Sequence, residues 1–310
     1  MTTLPNRLIS LLSDYGFKIT FANEKNQTFL RKAIQLLTKS EIDIKTLQHL
    51  PTEFEGISEE ARKGFYDTLC LVNKELYFIL EMQLGNHTYL IERLLFYAAQ
   101  LYIAQVVKGL EGFADIKKIH CICITRDTLF PDEHPYYHNA AIKTETGKII
   151  SDKIEFILVE LKKFTKLAHE TENELDELLF TMKNADTIDI SKPEQIPHFW
   201  KKEWLQDVVK ELNLSTMSPM NRALYNISVA RLVAINEQFE LDMKVVADKT
   251  KKEVTESVTK EVTESITKEL KIKGIEKALK RGKLTIAEIA EDEEVPVAFV
   301  LQVKANLKHN

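Results

Sequence analysis

An α/β fold is what this sequence predicts, from three observations. Two short runs, residues 64–72 and 76–84, carry apolar side chains on both faces, as strands in the middle of a sheet do. Runs of the same kind recur at residues 118–126 and 153–161. Between and after them the apolar spacing changes to that of helices packed on a sheet. With 310 residues, 44% of them hydrophobic, the chain can bury one sizeable core and carry an appendage.

The first two runs each contain acid. Asp67 sits in Gly64-Phe65-Tyr66-Asp67-Thr68-Leu69-Cys70-Leu71-Val72, and Glu81 with Gln83 sits in the run that begins at Leu76. Side chains alternate along a strand, so Leu76, Phe78, Leu80, Met82 and Leu84 share one face. Tyr77, Ile79, Glu81 and Gln83 share the other, and Asp67 lies with Phe65, Leu69 and Leu71. In an antiparallel hairpin the loop length decides whether the two acids meet. A three-residue loop, Asn73 to Glu75, puts Asp67 opposite Glu81. A two-residue loop, Asn73-Lys74, pairs Asp67 with Leu80 and sends the acids to opposite faces. Two carboxylates and an amide oxygen on one spot suit Mg2+, with Mn2+ as a substitute. The alternative is that Asp67 only starts a strand while Glu81 and Gln83 face solvent.

From these residues outward the chain resembles a family, the recombination-promoting nucleases and transposases of the PD-(D/E)XK superfamily. The resemblance runs through Asp14-Tyr15-Gly16-Phe17-Lys18-Ile19-Thr20-Phe21, then Asp67 and Glu81-Met82-Gln83. It continues through Arg93-Leu94-Leu95-Phe96-Tyr97, the strand from Ile119 to Thr125, and Val159-Glu160-Leu161-Lys162-Lys163-Phe164. It implies a mixed sheet flanked by helices and a Mg2+-dependent endonuclease that cleaves double-stranded DNA. Asp67 and Glu81 then correspond to the metal ligands. Gln83 stands where the wider superfamily has lysine, and a neutral amide supplies neither positive charge nor a general base. Asp14 matches the opening aspartate as a supporting residue of the site, or else caps the helix that begins at Tyr15.

Residues 87–110 form one long helix with a buried stripe of Leu90, Leu94, Ala98 and Leu101, widened by Ile91, Leu95 and Tyr102. Arg93, Tyr97 and Gln100 follow another line, on which Arg93 and Tyr97 point at the site or form a polar face. Cys70, Cys121 and Cys123 read as buried, reduced thiols with no zinc spacing. Residues 130–138 are a loop punctuated by two prolines, in which His134 and His138 do not make a zinc pair. Helices follow at 173–184, 198–212 and 219–240, with Phe199, Trp200 and Trp204 as a packing anchor.

The composition changes near Lys244. Lys252-Glu253-Val254-Thr255-Glu256-Ser257-Val258-Thr259 is nearly repeated in the next eight residues, and Val254, Val258, Val262, Ile266 and Leu270 recur every four positions. Such a stripe drifts around a helix and holds no heptad seam. The domain reading is a nuclease-like domain over 1–240, a charged helical connector over 241–273 and a small helical, helix-turn-helix-like tail over 274–310. The acids Glu288, Glu291, Asp292, Glu293 and Glu294 argue against a DNA-reading tail. A homo-oligomer formed through these helices is a further expectation.

A net charge of −5 argues against a broad basic surface as the grip on nucleic acid. The basic residues of the first forty, Arg7, Lys18, Lys25, Arg31, Lys32 and Lys39, form a phosphate-facing patch or a solvated helix face. No signal peptide and no membrane span are read, so a cytoplasmic location is expected. The rival to the nuclease is a catalytically inactive module of the same fold that binds DNA or protein. A second rival binds DNA by its tail.

Overall fold

A computed structural model describes residues 7–24, 27–54, 64–84, 89–106 and 113–307. Two compact units divide the chain, Met1–Phe239 and Glu240–Asn310.

The first unit is built on a six-stranded mixed sheet. In chain order its strands are β1 (Leu47–His49), β4 (Thr68–Val72), β5 (Leu76–Gln83), β6 (Lys118–Thr125), β7 (Tyr137–Lys143) and β8 (Ile149–Glu160), and their spatial order is β1-β4-β5-β6-β8-β7. Strands β2 (Glu53–Phe54) and β3 (Gly64–Phe65) form a separate ribbon. The central trio β5, β6 and β8 is parallel, and antiparallel strands flank it on both sides. Buried parallel strands read as continuous apolar runs, which is why β6 and the second half of β8 were legible.

Helices cover both faces. Phe78, Leu80, Ile122, Ile124 and Val159 belong to one core with Phe17 and Phe21 of α1 (Asp14–Phe21), Phe29 and Ile34 of α2 (Thr28–Thr38), Leu178 of α4 (Glu174–Asn184) and Trp204 of α5 (Glu203–Glu211). Leu69, Ile79, Cys121, Cys123 and Leu158 face the opposite way, against Leu90, Leu94, Tyr97 and Leu101 of α3 (Leu90–Ala104). The three cysteines are buried and free. Trp200 donates its indole N–H to Thr181 at 2.9 Å, and Trp204 stacks on Phe29, so the aromatic cluster is a packing anchor.

Several elements differ from the sequence reading. The run 64–72 is broken: Phe65 ends β3, Asp67 lies in a bend, and β4 begins at Thr68. Helix α3 ends at Ala104 rather than near residue 110, where the Gln105 side chain accepts the Lys117 N–H at 2.9 Å. The expected start at His87 lies outside the described residues. Ile91 and Leu95 are 37% and 50% exposed, because α3 presents only its Leu90–Leu94–Leu101 stripe to the sheet. The expected loop at 130–138 turns into strand at Tyr137. Its strand β7 lies at the sheet edge and is mostly half-exposed or exposed, so it lacks the apolar alternation that marks a buried strand.

One helix, α6 (Pro219–Arg281), replaces three expected pieces, the helix at 219–240, the connector and a helix beginning at Gly274. In its repeat segment Thr255, Thr263 and Thr267 each bond the carbonyl four residues back at 2.7 Å, which satisfies hydroxyls otherwise poorly suited to a helix interior. The stripe from Val254 to Leu270 is exposed.

In the second unit, Gly282 with φ of 66° ends α6. Thr285 and Glu288 form the expected capping box of α7 (Ile286–Asp292), and α8 (Val297–Leu307) follows Pro296. Ile275, Ile289, Ala290, Val300 and Val303 make this unit's own core. Among the described residues no helix is long and apolar enough to cross a membrane.

Candidate active site

The site is set by a turn at the far end of the β4–β5 hairpin. Asn73 and Lys74 both take positive φ, 51° and 62°. Asparagine tolerates that region, and here its side chain also accepts the Lys45 and Thr46 N–H groups and donates to the Asp43 carbonyl. Val72 pairs with Leu76, so the loop holds three residues. The ladder then runs back to Thr68 opposite Leu80, which leaves Asp67 in the bend just before β4 and Glu81 next along β5 on the same side of the hairpin. The even-numbered register, which sends the acids to opposite faces, is excluded.

The two acids hold each other's strands. The Asp67 N–H donates to Glu81 Oε1 at 3.0 Å, and the Met82 N–H donates to Asp67 Oδ2 at 2.8 Å. Glu81 is only 4% exposed. Burial first, and the Asp67 charge second, push its acid up to about 8, against the Asp67 N–H and Arg93. Burial raises Asp67 as well, with Asp14 adding to the shift while the Met82 N–H, Arg93 and Lys18 oppose it. Two buried like charges of this kind favour a compensating cation.

Three elements surround the pair. From α3, Arg93 Nη2 donates to Gln83 Oε1, and both acids feel its charge. The Gln83 oxygen is thus engaged by a guanidinium, where the sequence had suggested a third oxygen beside the carboxylates. From α1 come Asp14 and Lys18, joined by an exposed ion pair at 2.9 Å and both within electrostatic reach of Asp67. Ser13, not Asp14, caps α1 by accepting the Gly16 N–H at 2.9 Å. Asp14 is the first helical residue and is therefore not spent on the cap.

Tyr97 lies in the wall of the site. Its ring meets Tyr66 edge to face at 5.1 Å, and the Tyr66 hydroxyl donates to the Tyr97 carbonyl at 3.2 Å. Tyr66 directly precedes Asp67, so Tyr97 supports the bend that carries the acid. Gln100 on the same line has a buried oxygen without a hydrogen-bond partner.

Other candidates take structural work. Arg31 donates to the Ile44 carbonyl and to Gln27, Lys32 pairs with Glu174, and Lys39 lies 3.7 Å over the Tyr137 ring. These cations of the N-terminal region hold the fold together, while Lys25 lies outside the described residues. His138 stands between Glu133 at 3.2 Å and Glu160 at 2.8 Å.

The sequence named Lys18 only as one of the basic residues of the first forty and Glu160 only within the resemblance, and gave neither a specific role. Lys18 was visible as the i+4 partner of Asp14. Glu160 is fully buried and accepts from the Leu129 and Phe130 N–H groups, His138 and Lys163, an assembly of distant residues that no local pattern announces.

Among the described residues no group of three or more His, Cys, Asp or Glu side chains is arranged to hold a metal ion. The Asp67–Glu81 pair offers two hard oxygen donors, a set that fits Mg2+ or Mn2+ with water completing the shell. No curated protein and no solved structure matches the chain. The family model of the PD-(D/E)XK nuclease family transposases matches residues 11–249, which include every residue of this site. The chain belongs to the PD-(D/E)XK nuclease family transposases.

Proposed function

We propose that the protein is a Mg2+-dependent endonuclease that hydrolyses phosphodiester bonds in double-stranded DNA, with a role in recombination or in mobile elements. The observation that carries this reading is the three-residue hairpin loop, which brings Asp67 beside Glu81, with Glu81 accepting from the Asp67 N–H and Asp67 accepting from the Met82 N–H. Asp67 and Glu81 would hold the ion. When bound, a divalent cation there supplies a polarised phosphate oxygen and a water of lowered pKa.

The side chains do the rest. Arg93 has further N–H donors beyond the one given to Gln83, and its Nε is buried without a hydrogen-bond partner. Its role is to meet charge developing on the phosphate. Gln83 aims the guanidinium by accepting from it. Asp14 holds Lys18 at the mouth of the site, where a cation offsets the acids. Tyr97 braces the Tyr66–Asp67 bend.

The test is incubation of supercoiled plasmid with the full chain and Mg2+ or Mn2+, beside Asp67→Ala, Glu81→Ala and an EDTA control. Nicking or linearisation lost in both variants and in EDTA is expected. No cleavage by folded protein with either metal would overturn the proposal in favour of the inactive module.

A further inference from the structure

The three parallel strands end together. Gln83, Thr125 and Glu160 lie side by side in the register, and the chain leaves the sheet there at Leu84, Arg126 and Leu161. The exits are tied across the strands: the Arg126 N–H bonds the Gln83 carbonyl at 2.9 Å, and the Leu161 N–H bonds the Thr125 carbonyl at 2.8 Å. Beyond this edge opens a cavity of about 550 Å³, lined among others by Ser13, Leu84, Arg126, Lys162, Lys183 and Tyr225. Its lining includes the sequence neighbours of two residues near the acid pair, Ser13 before Asp14 and Leu84 after Gln83, but neither acid itself.

Elsewhere around the same strand ends lysines are committed: Lys163 pairs with Glu160 at 2.6 Å, and Lys166 with Asp176 at 2.7 Å. Within the cleft Lys183 donates to the Phe164 carbonyl at 2.6 Å. Arg126 and Lys162 are exposed, and among the described residues no ion pair holds either one. Asp127 and Asp186 also line the cavity, so it is modestly positive rather than a strong basic field. Its attraction for an anion is local to individual side chains.

We infer that Arg126 and Lys162 are positioning residues that hold backbone phosphates of the DNA strand beside the one being cut. The spacing suits this. Neighbouring strands lie about 4.8 Å apart, which puts β8 about 10 Å from β5. Arg126 follows β6, one spacing from β5, and Lys162 follows β8, two spacings away, so at 3.4 Å of axial rise per nucleotide they stand about one and about three nucleotides along. Phosphate contacts set register and orientation without reading sequence, and two such contacts are compatible with a chain of net charge −5. The inference rests on the nuclease reading of the Asp67–Glu81 site.

The test is binding of a short fluorescent DNA duplex to the full chain in EDTA, over a salt series. Wild type is compared with Arg126→Gln/Lys162→Gln and with Lys143→Gln, an exposed residue of β7 outside the cleft. The cleft variant should lose about one unit of salt slope per residue, and at least about tenfold in affinity at moderate salt. Lys143→Gln should bind as wild type does, and thermal melts of all three should coincide. In the plasmid assay the cleft variant should raise KM with kcat retained. Wild-type binding that the cleft variant matches in slope and affinity overturns this inference and leaves the nuclease reading standing. Absence of binding by the wild type overturns this inference as well, while the nuclease reading is decided by the plasmid assay with metal.

Discussion

Replacing Glu81 by glutamine keeps its shape and its acceptor for the Asp67 N–H while removing its charge. The folded chain raises this acid from 4.5 to about 8, through burial and then the Asp67 charge. An acid raised in this way keeps its proton when folded and releases it on unfolding. Between the two values the unfolded chain binds fewer protons, so stability falls as pH rises from about 4.5 to about 8 and is flat beyond. At about 1.4 kcal/mol per unit, the whole effect is on the order of a few kcal/mol. His120 works in the opposite sense. Burial and Lys118 lower it from 6.5 to about 4, so its contribution rises with pH over that interval. The assay is therefore a difference, taken from urea denaturation of wild type and Glu81→Gln in EDTA across the same pH series. The curves should meet at the acid end, and the variant should be more stable by a few kcal/mol near pH 8. Millimolar Mg2+ should stabilise wild type most at the alkaline end and leave the variant nearly unmoved. A flat difference curve, or equal Mg2+ stabilisation of both proteins, would refute the reasoning.

Three further expectations follow from named contacts. Arg93→Ala removes the donor to Gln83 and a positive charge felt by both acids, and should lower kcat by about a hundredfold, with Arg93→Lys in between, in the plasmid assay. Glu160→Ala leaves two backbone donors, His138 and Lys163 without their shared acceptor. Urea denaturation should register a loss of about 3–5 kcal/mol. Asn73→Ala removes three side-chain hydrogen bonds from a residue with positive φ, and should cost about 1–3 kcal/mol by the same measurement.

The strands that pack on both faces were legible because burial on two sides demands an unbroken apolar run, as in β5 and β6. The capping box at Thr285 and the stop at Gly282 were legible because both are local backbone chemistry. Edge strands were not. Nothing in Leu47–His49 or Tyr137–Lys143 marks pairing, since each lies at an edge of the sheet and needs no continuous apolar run. The helical stop was misread at α3 because Gln105, just past its end, bonds Lys117, a residue that the helical pattern does not reach.

The candidate site divides in the same way. Residue types and alternation alone placed Glu81 and Gln83 on one strand face and named Asp67 as the acid able to join them. They also reduced the question to one number, the length of the loop after Val72. Only the tertiary structure decided that number, because the left-handed turn at Asn73 is secured by Lys45, Thr46 and Asp43 from a separate segment. It also decided that Ser13 caps α1, that Arg93 claims the Gln83 oxygen, and that Arg126 and Lys162 share a cleft. The anchoring of Asn73 and the shared cleft of Arg126 and Lys162 are meetings of residues far apart in sequence, and one-dimensional periodicity carries no information about such distances.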